Sequence, residues 1–177
     1  VCSSDLKIFW MKHEQPDIYQ NTAMFADIKT YIFYQLYGKY VIDHSMASAT
    51  GMFNLQQLDW DQEALELLGI SASQLPQLVP TTHILKGMKK RYATLMGIDE
   101  NTPVVVGASD GVLSNLGVNS YKKGEVAVTI GTSGAIRTVI DKPRTDYKGR
   151  IFCYVLDEDH YVIGGPVNNG GVILRWL

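Results

Sequence analysis

Apolar residues in the first half of the chain recur at helical spacing. Phe25, Ile28, Ile32 and Leu36 stand three or four positions apart within residues 22–37, which predicts a helix closed by Gly38. Asp59 with Gln62 three residues later has the form of a capping box. It predicts a second helix with Leu65 and Leu68 on its apolar face and Gly69 at its end. The run Leu75-Pro76-Gln77-Leu78-Val79-Pro80 predicts a loop, and residues 86–96 a third helix ending at Gly97. From Pro103 the pattern changes. Val104-Val105-Val106 is β-branched and uninterrupted, as in a buried strand. It leads through Gly107-Ala108-Ser109-Asp110-Gly111 into a short helix over residues 112–116. Three strand-like runs follow, over residues 125–130, 135–140 and 151–156. The turn Gly131-Thr132-Ser133-Gly134 joins the first two as a hairpin, and Asp157-Glu158-Asp159 links the third to residues 160–163. A glycine-rich stretch then opens onto an apolar helix over residues 172–177. The order of helices, strand–loop–helix unit, strand meander and final helix reads as α/β.

Composition narrows what such a chain can do. Sixteen Lys and Arg face eighteen Asp and Glu in 177 residues, for a net charge of −2. A nucleic-acid binder carries a basic excess instead. The 46% hydrophobic content supports a core and excludes a disordered chain. Cys2 and Cys153 are far apart, and His13, His44, His83 and His160 are scattered, so neither a disulfide framework nor a metal site is expected. No run approaches the roughly 18 apolar residues of a membrane span. Val1-Cys2-Ser3-Ser4-Asp5-Leu6 lacks the basic start and apolar run of a signal peptide. These features predict a cytoplasmic protein with reduced thiols and neither a membrane nor a nucleic-acid partner. Codons for residues 1–6 can be chosen to spell the end of a common sequencing adaptor, so they read either as a non-native scar before Lys7 or as an ordinary polar terminus. Leu174-Arg175-Trp176-Leu177 breaks off inside an apolar pattern, as a piece of a longer protein would.

Four segments could carry chemistry. In Gly131-Thr132-Ser133-Gly134, glycines leave room beside the backbone, successive N–H groups can converge on an anion, and two hydroxyls add donors. An ordinary glycine-rich hairpin explains the same residues. With Ala135 the segment also nearly fits a G-x-S-x-G nucleophile elbow, but that motif needs a helix where residues 136–140 read as strand. Asp110, just past a strand, can accept the proton of a substrate hydroxyl or cap the following helix. Gly164-Gly165…Gly170-Gly171 has a Walker-like glycine spacing, yet Gly171 and Val172 stand where Lys and Ser or Thr are required. Such an entry to a helix can still approach a nucleotide. The polar run Asp43-His44-Ser45-Met46-Ala47-Ser48-Ala49-Thr50-Gly51 reads either as a loop fixed to the core or as a wall of a polyol cleft. Lys7-Ile8-Phe9-Trp10-Met11 and Trp60 read as packing anchors.

Taken in order, Lys7-Ile8-Phe9-Trp10-Met11-Lys12-His13, Asp43…Ala47-Ser48…Thr50, Gly107-Ala108-Ser109-Asp110-Gly111 and Gly131-Thr132-Ser133-Gly134 resemble the FGGY family of carbohydrate kinases. The likeness runs from Lys7 to the end of the chain. Residues 107–117 and 163–171 are most similar to the gluconate-phosphorylating members. The resemblance implies an actin-like, ribonuclease-H-like fold in two domains with ATP and sugar in the cleft between them. Residues 7–119 would be the later part of the first, sugar-binding domain, and residues 120–177 the start of the second, nucleotide-binding domain. It implies a catalytic, substrate-contacting role for Asp110. Gly131, Thr132 and Ser133 would contact the phosphates of ATP, with Gly171 and Arg175 near the nucleotide. The implied reaction is transfer of the γ-phosphoryl of Mg²⁺-bound ATP to gluconate, giving 6-phosphogluconate. Xylulose or glycerol as acceptor, or a non-catalytic sugar-binding relative, are the alternatives. The family's first phosphate loop and its adenine motif lie outside residues 7–177, so this chain alone is expected to be inactive. Self-association is left open.

Overall fold

Asp27, Asp43 and Asp61 cap the starts of three helices, and Gly38, Gly69 and Gly97 close the ends of three, though the capping aspartates are not always those that the spacing suggests. The computed structural model describes residues 4–176, apart from the side chains of Leu174 and Arg175. The chain divides into two compact units, Val1–Gly107 and Ala108–Leu177.

The first unit runs α1 (Ser4–Glu14), α2 (Pro16–Gln20), α3 (Ile28–Tyr37), β1 (Val41–Asp43), α4 (His44–Ser48), β2 (Phe53–Asn54), β3 (Asp59–Trp60), α5 (Gln62–Leu68), β4 (Gln77–Val79), β5 (Ile84–Leu85), α6 (Lys90–Met96) and β6 (Val104–Val105). Helix α3 starts at Ile28 rather than Thr22 because the Asp27 carboxylate accepts the Thr30 N–H and hydroxyl, both at 2.9 Å. Gly38 closes it in the left-handed conformation, with φ 72°. In α5 the cap is Asp61, which accepts the Ala64 N–H at 3.0 Å. Asp59 belongs instead to β3, paired with β2. Helix α6 starts at Lys90 rather than residue 86, since the Met88 and Lys89 amides donate to Glu100 and Leu36 carbonyls outside the helix, both at 2.8 Å. The predicted loop at residues 75–80 contains β4, which runs parallel to β1.

Strand β1 is covered on both faces. Val41 joins a core with Phe33, Val79 and Leu85, while its neighbour Ile42 joins a second core with Ile8, Trp60, Leu65 and Leu68. Leu65 and Leu68 are each 2% exposed, and each burial is worth about 2 kcal/mol. Trp60 is the expected anchor, its indole N–H donating to the Pro76 carbonyl at 3.3 Å. Of residues 7–11 only Ile8 is buried, whereas Phe9 and Trp10 are exposed. The valine run is likewise less buried than its composition suggests. Val104 and Val105 pair antiparallel with β5, Val105 faces outward, and Val106 alone of the three is buried.

The second unit holds α7 (Asp110–Gly117), β7 (Val126–Ile130), β8 (Gly134–Ile140), β9 (Phe152–Val155), β10 (Tyr161–Val167) and α8 (Val172–Trp176). The strands form one antiparallel sheet in the order β7-β8-β10-β9. Val112 of α7 is fully buried against Val139 of β8 and Val162 of β10, which face each other in register. This packing draws α7 into the unit that begins at Ala108, while the sequence reading groups residues up to 119 with the first domain. On the opposite face Val126, Val128, Ile130 and Ile136 are exposed.

Candidate functional site

The chemistry-bearing residues of the second unit gather around the start of α7 and the β7–β8 turn. Ser109 is the N-cap residue of α7 and Asp110 its first helical residue. The Asp110 carboxylate therefore does not do the capping that the sequence left open for it. It is exposed, and one oxygen accepts the adjacent Gly111 N–H at 2.7 Å. Among the described residues the structure records no partner for the other oxygen. A negative charge in the first turn is favoured by the partial positive charge of the helix N-terminus. Asp110 thus presents an exposed carboxylate in the first turn of α7.

The turn is built differently from the nest that its glycines suggest. The Gly131 N–H donates to the Ser133 carbonyl at 2.7 Å, closing the loop on itself. The chain returns after β10 and clamps this loop. Gly170 N–H donates to Thr132 O at 2.9 Å, and Gly171 N–H to Gly131 O at 2.6 Å. A methyl group at Gly170 would stand 2.7 Å from the carbonyl oxygens of both Gly131 and Ser133, and one at Gly171 3.0 Å from Gly131 O. The paired glycines are there for this close approach, which a Walker-like reading does not describe. The Gly131 amide of the expected anion site, with the Gly170 and Gly171 amides, thus shapes the turn. The groups left facing outward are the Thr132 and Ser133 amides and hydroxyls, on exposed residues. The segment continues straight into β8, so the nucleophile elbow is excluded. The side chain of Arg175, expected near the nucleotide, lies outside the described residues.

Arg137 is a member of this neighbourhood that the sequence reading passed over. It lies on β8 in phase with the buried Ala135 and Val139, and its guanidinium donates to Thr129 Oγ1 at 3.1 Å. The same group lies 3.7 Å from where a Cβ on Gly111 would be. The signal was available as a lone cation in the buried phase of an alternating strand. Nearby, burial pushes the Tyr154 phenol above its ordinary range, and the Arg137 charge opposes this.

The polar run at residues 43–51 is committed to structure. Asp43 is fully buried, caps α4 by accepting the Met46 N–H at 2.9 Å, and pairs with Lys29 Nζ at 2.5 Å. The Thr50 hydroxyl donates to Ala47 O at 2.6 Å and the Ser48 hydroxyl to Ser45 O at 2.7 Å. These bonds favour the loop fixed to the core over the cleft wall. A concavity of about 480 Å³ in the second unit is lined by Lys122, Lys123, Arg144 and His160, and does not include Asp110. Among the described residues no cluster of three or more His, Cys, Asp or Glu could hold a metal ion. Among the same residues no helix is long and apolar enough to cross a membrane.

Comparison with known proteins adds to this geometry. Residues 2–117 match the FGGY family of carbohydrate kinases, N-terminal domain. The chain is 62% identical over 171 residues to the gluconokinase of Bacillus subtilis (strain 168), covering 97% of this chain and 33% of that protein. Two solved structures from Lactobacillus acidophilus, a gluconate kinase and a ligand-bound xylulose kinase, each superpose with a TM-score of 0.94 at 42% identity. They cover 98% of this chain and 35% and 36% of theirs. The chain therefore spans about a third of the length of the curated relatives it matches.

Proposed function

The chain belongs to the FGGY family of carbohydrate kinases, with the actin-like ATPase fold of that family, and on that premise we propose that at the length of its relatives it phosphorylates gluconate with ATP. The observation that carries the substrate is the similarity to the Bacillus subtilis gluconokinase over nearly the whole chain. The free Asp110 oxygen supports the chemistry. In transfer of a γ-phosphoryl group the transition state is loose, so the protein's task is to position the acceptor and offset charge. Asp110 orients the terminal hydroxyl of gluconate and takes its proton as the new O–P bond forms and the bond to ADP breaks. The outward Thr132 and Ser133 amides and hydroxyls suit phosphate oxygens, and Gly131 and Gly171 hold that turn in shape. Mg²⁺ arrives with ATP and offsets phosphate charge. Use of ATP suits a reaction in the cytoplasm.

Xylulose is the second acceptor to consider, because the ligand-bound xylulose kinase structure is as similar to this chain as the gluconate kinase structure is. The test is ADP release by the full-length gene product with Mg·ATP and gluconate, xylulose or glycerol in turn. Gluconate is expected to give the highest kcat/KM, by about 100-fold or more, as charged-group recognition allows. A preference for xylulose or glycerol overturns the substrate. No acceptor-dependent ADP release overturns the kinase reading in favour of a sugar-binding relative. Sedimentation of the same sample reads out self-association.

A further inference from the structure

Arg137 carries a charge that the fold does not balance. It is half-buried, and among the described residues no carboxylate lies within ion-pair distance of it. Of its five N–H donors the structure records one bond, to the neutral Thr129 hydroxyl. In register it stands between Ala127 of β7 and Gly164 of β10, where the Phe152 ring occupies the space a Gly164 Cβ would take, while Gly111 of α7 leaves space on the helix side. Partly withdrawing a guanidinium from water without a counter-charge costs free energy, and here no bound carboxylate of the protein offsets it. The uncovered donors lie beside the first turn of α7, next to the residue that bears the exposed Asp110 carboxylate. A planar fork of this kind binds carboxylate or phosphate through two parallel hydrogen bonds.

We propose that Arg137 is the oxyanion-binding residue of the Asp110 site. It deepens the kinase reading above and rests on it for the identity of the ligand, which is a negatively charged group of the reactants. Two groups have this chemistry: the carboxylate of a sugar acid and the phosphoryl group in transfer. A carboxylate partner would make Arg137 the residue that separates a sugar acid from a neutral polyol. A phosphoryl partner would make it an aid to the transfer itself.

The test uses the full-length gene product with Arg137→Met and Arg137→Lys, assayed for kcat and KM with gluconate and with a neutral polyol. Loss of a charge-assisted pair predicts an effect of roughly 10- to 100-fold in Arg137→Met. A rise in KM for gluconate alone, with ATP and the neutral polyol unaffected, assigns the carboxylate. A fall in kcat for both acceptors assigns the phosphoryl group. Arg137→Lys should recover part of either loss, since it keeps the charge and lacks the fork. Added guanidinium should restore activity to Arg137→Met. If Arg137→Met lowers only the melting temperature, or changes nothing, Arg137 is a brace between strands and the proposal is overturned. A binding measurement separates this from failure of the kinase reading. Inorganic phosphate and gluconate, each added without ATP, should raise the melting temperature of the wild-type protein. Arg137→Met should abolish at least one of those shifts. If the wild type shows no turnover with any polyol, the kinase reading fails and the anion shifts alone decide Arg137. Shifts that are absent in the wild type or equal in both proteins overturn the proposal.

Discussion

Replacing Gly170 by alanine is the sharpest test of how the β7–β8 turn acquires its shape. The new methyl would lie 2.7 Å from two carbonyl oxygens and 2.8 Å from the Ser133 carbonyl carbon. All three are backbone atoms, which cannot swing aside as a side chain would. Ordinary contact begins near 3.4 Å, so the turn would have to retreat by about 0.7 Å. Overpacking of that size costs about 1–3 kcal/mol. The retreat also loosens the bonds from Gly170 to Thr132 and from Gly171 to Gly131, at about 1 kcal/mol each. Gly170→Ala is therefore expected to destabilise the second unit by about 3–5 kcal/mol. Gly171→Ala, whose methyl meets one oxygen at 3.0 Å, should cost about 1 kcal/mol. Gly165→Ala places its methyl in open space and should stay within about 0.5 kcal/mol of the parent. Denaturant unfolding of the full-length gene product gives the order, and amide exchange over residues 126–140 localises it. KM for ATP should follow the same series. If Gly170→Ala behaves like Gly165→Ala, the clamp is not what shapes the turn.

Asp110→Asn should reduce turnover by about 10²–10⁴-fold while leaving the melting temperature within a degree or two, since the carboxylate is exposed and, among the described residues, is bonded only to its neighbouring amide. Near-normal turnover removes Asp110 from the chemistry. Asp43→Ala should cost about 3 kcal/mol in denaturant unfolding, from one helix cap and one charge-assisted bond to Lys29. Asp43→Asn keeps a capping oxygen and should cost about half of that, so equal losses would contradict the division. Burial raises the pKa of Cys153 above its ordinary 9.0 and of Tyr154 and Tyr161 above 10.0. All three bind their protons more tightly folded than unfolded. Their contribution is complete below the thiol range and is lost as pH rises through the raised values. Near-ultraviolet circular dichroism should show the second unit weakening from about pH 9 upward, and a gain in stability there would contradict the sign.

What could be read from the sequence was local. Gly38, Gly69 and Gly97 end helices because the left-handed conformation suits glycine best, and each does so with φ near 70°. The hairpin over residues 126–140 followed from alternation and a short turn. Helix starts shifted because more than one residue near each start can cap it: Asp27 caps α3 in place of Thr22, and Asp61 caps α5 because Asp59 is held in the β2–β3 pair. The β1–β4 pair was missed for a related reason. Its parallel partner lies far along the chain, and Pro76 and Pro80 frame β4 as though it were a loop. At the site, Asp110 and the turn stood out by residue type. The clamp by Gly170 and Gly171 did not, because a glycine placed for close approach looks the same in sequence as one placed for flexibility. Arg137 was legible only as a lone cation in the buried phase of a strand; that its charge is unmatched required the register and the ion pairs of the folded chain.

The clamp also imposes an order of events on the nascent chain. The β7–β8 hairpin needs only its own residues and can close within about 10 μs. Its tip is another matter, because Gly131 and Thr132 receive the bonds that shape them from Gly171 and Gly170, after β9 and β10 have been made and paired. A nascent chain that has emerged past Ile140 but not yet to Gly170 would display a finished hairpin with an unfinished tip. The turn proposed for phosphates therefore takes its shape only after β10 and the segment that follows it have been made.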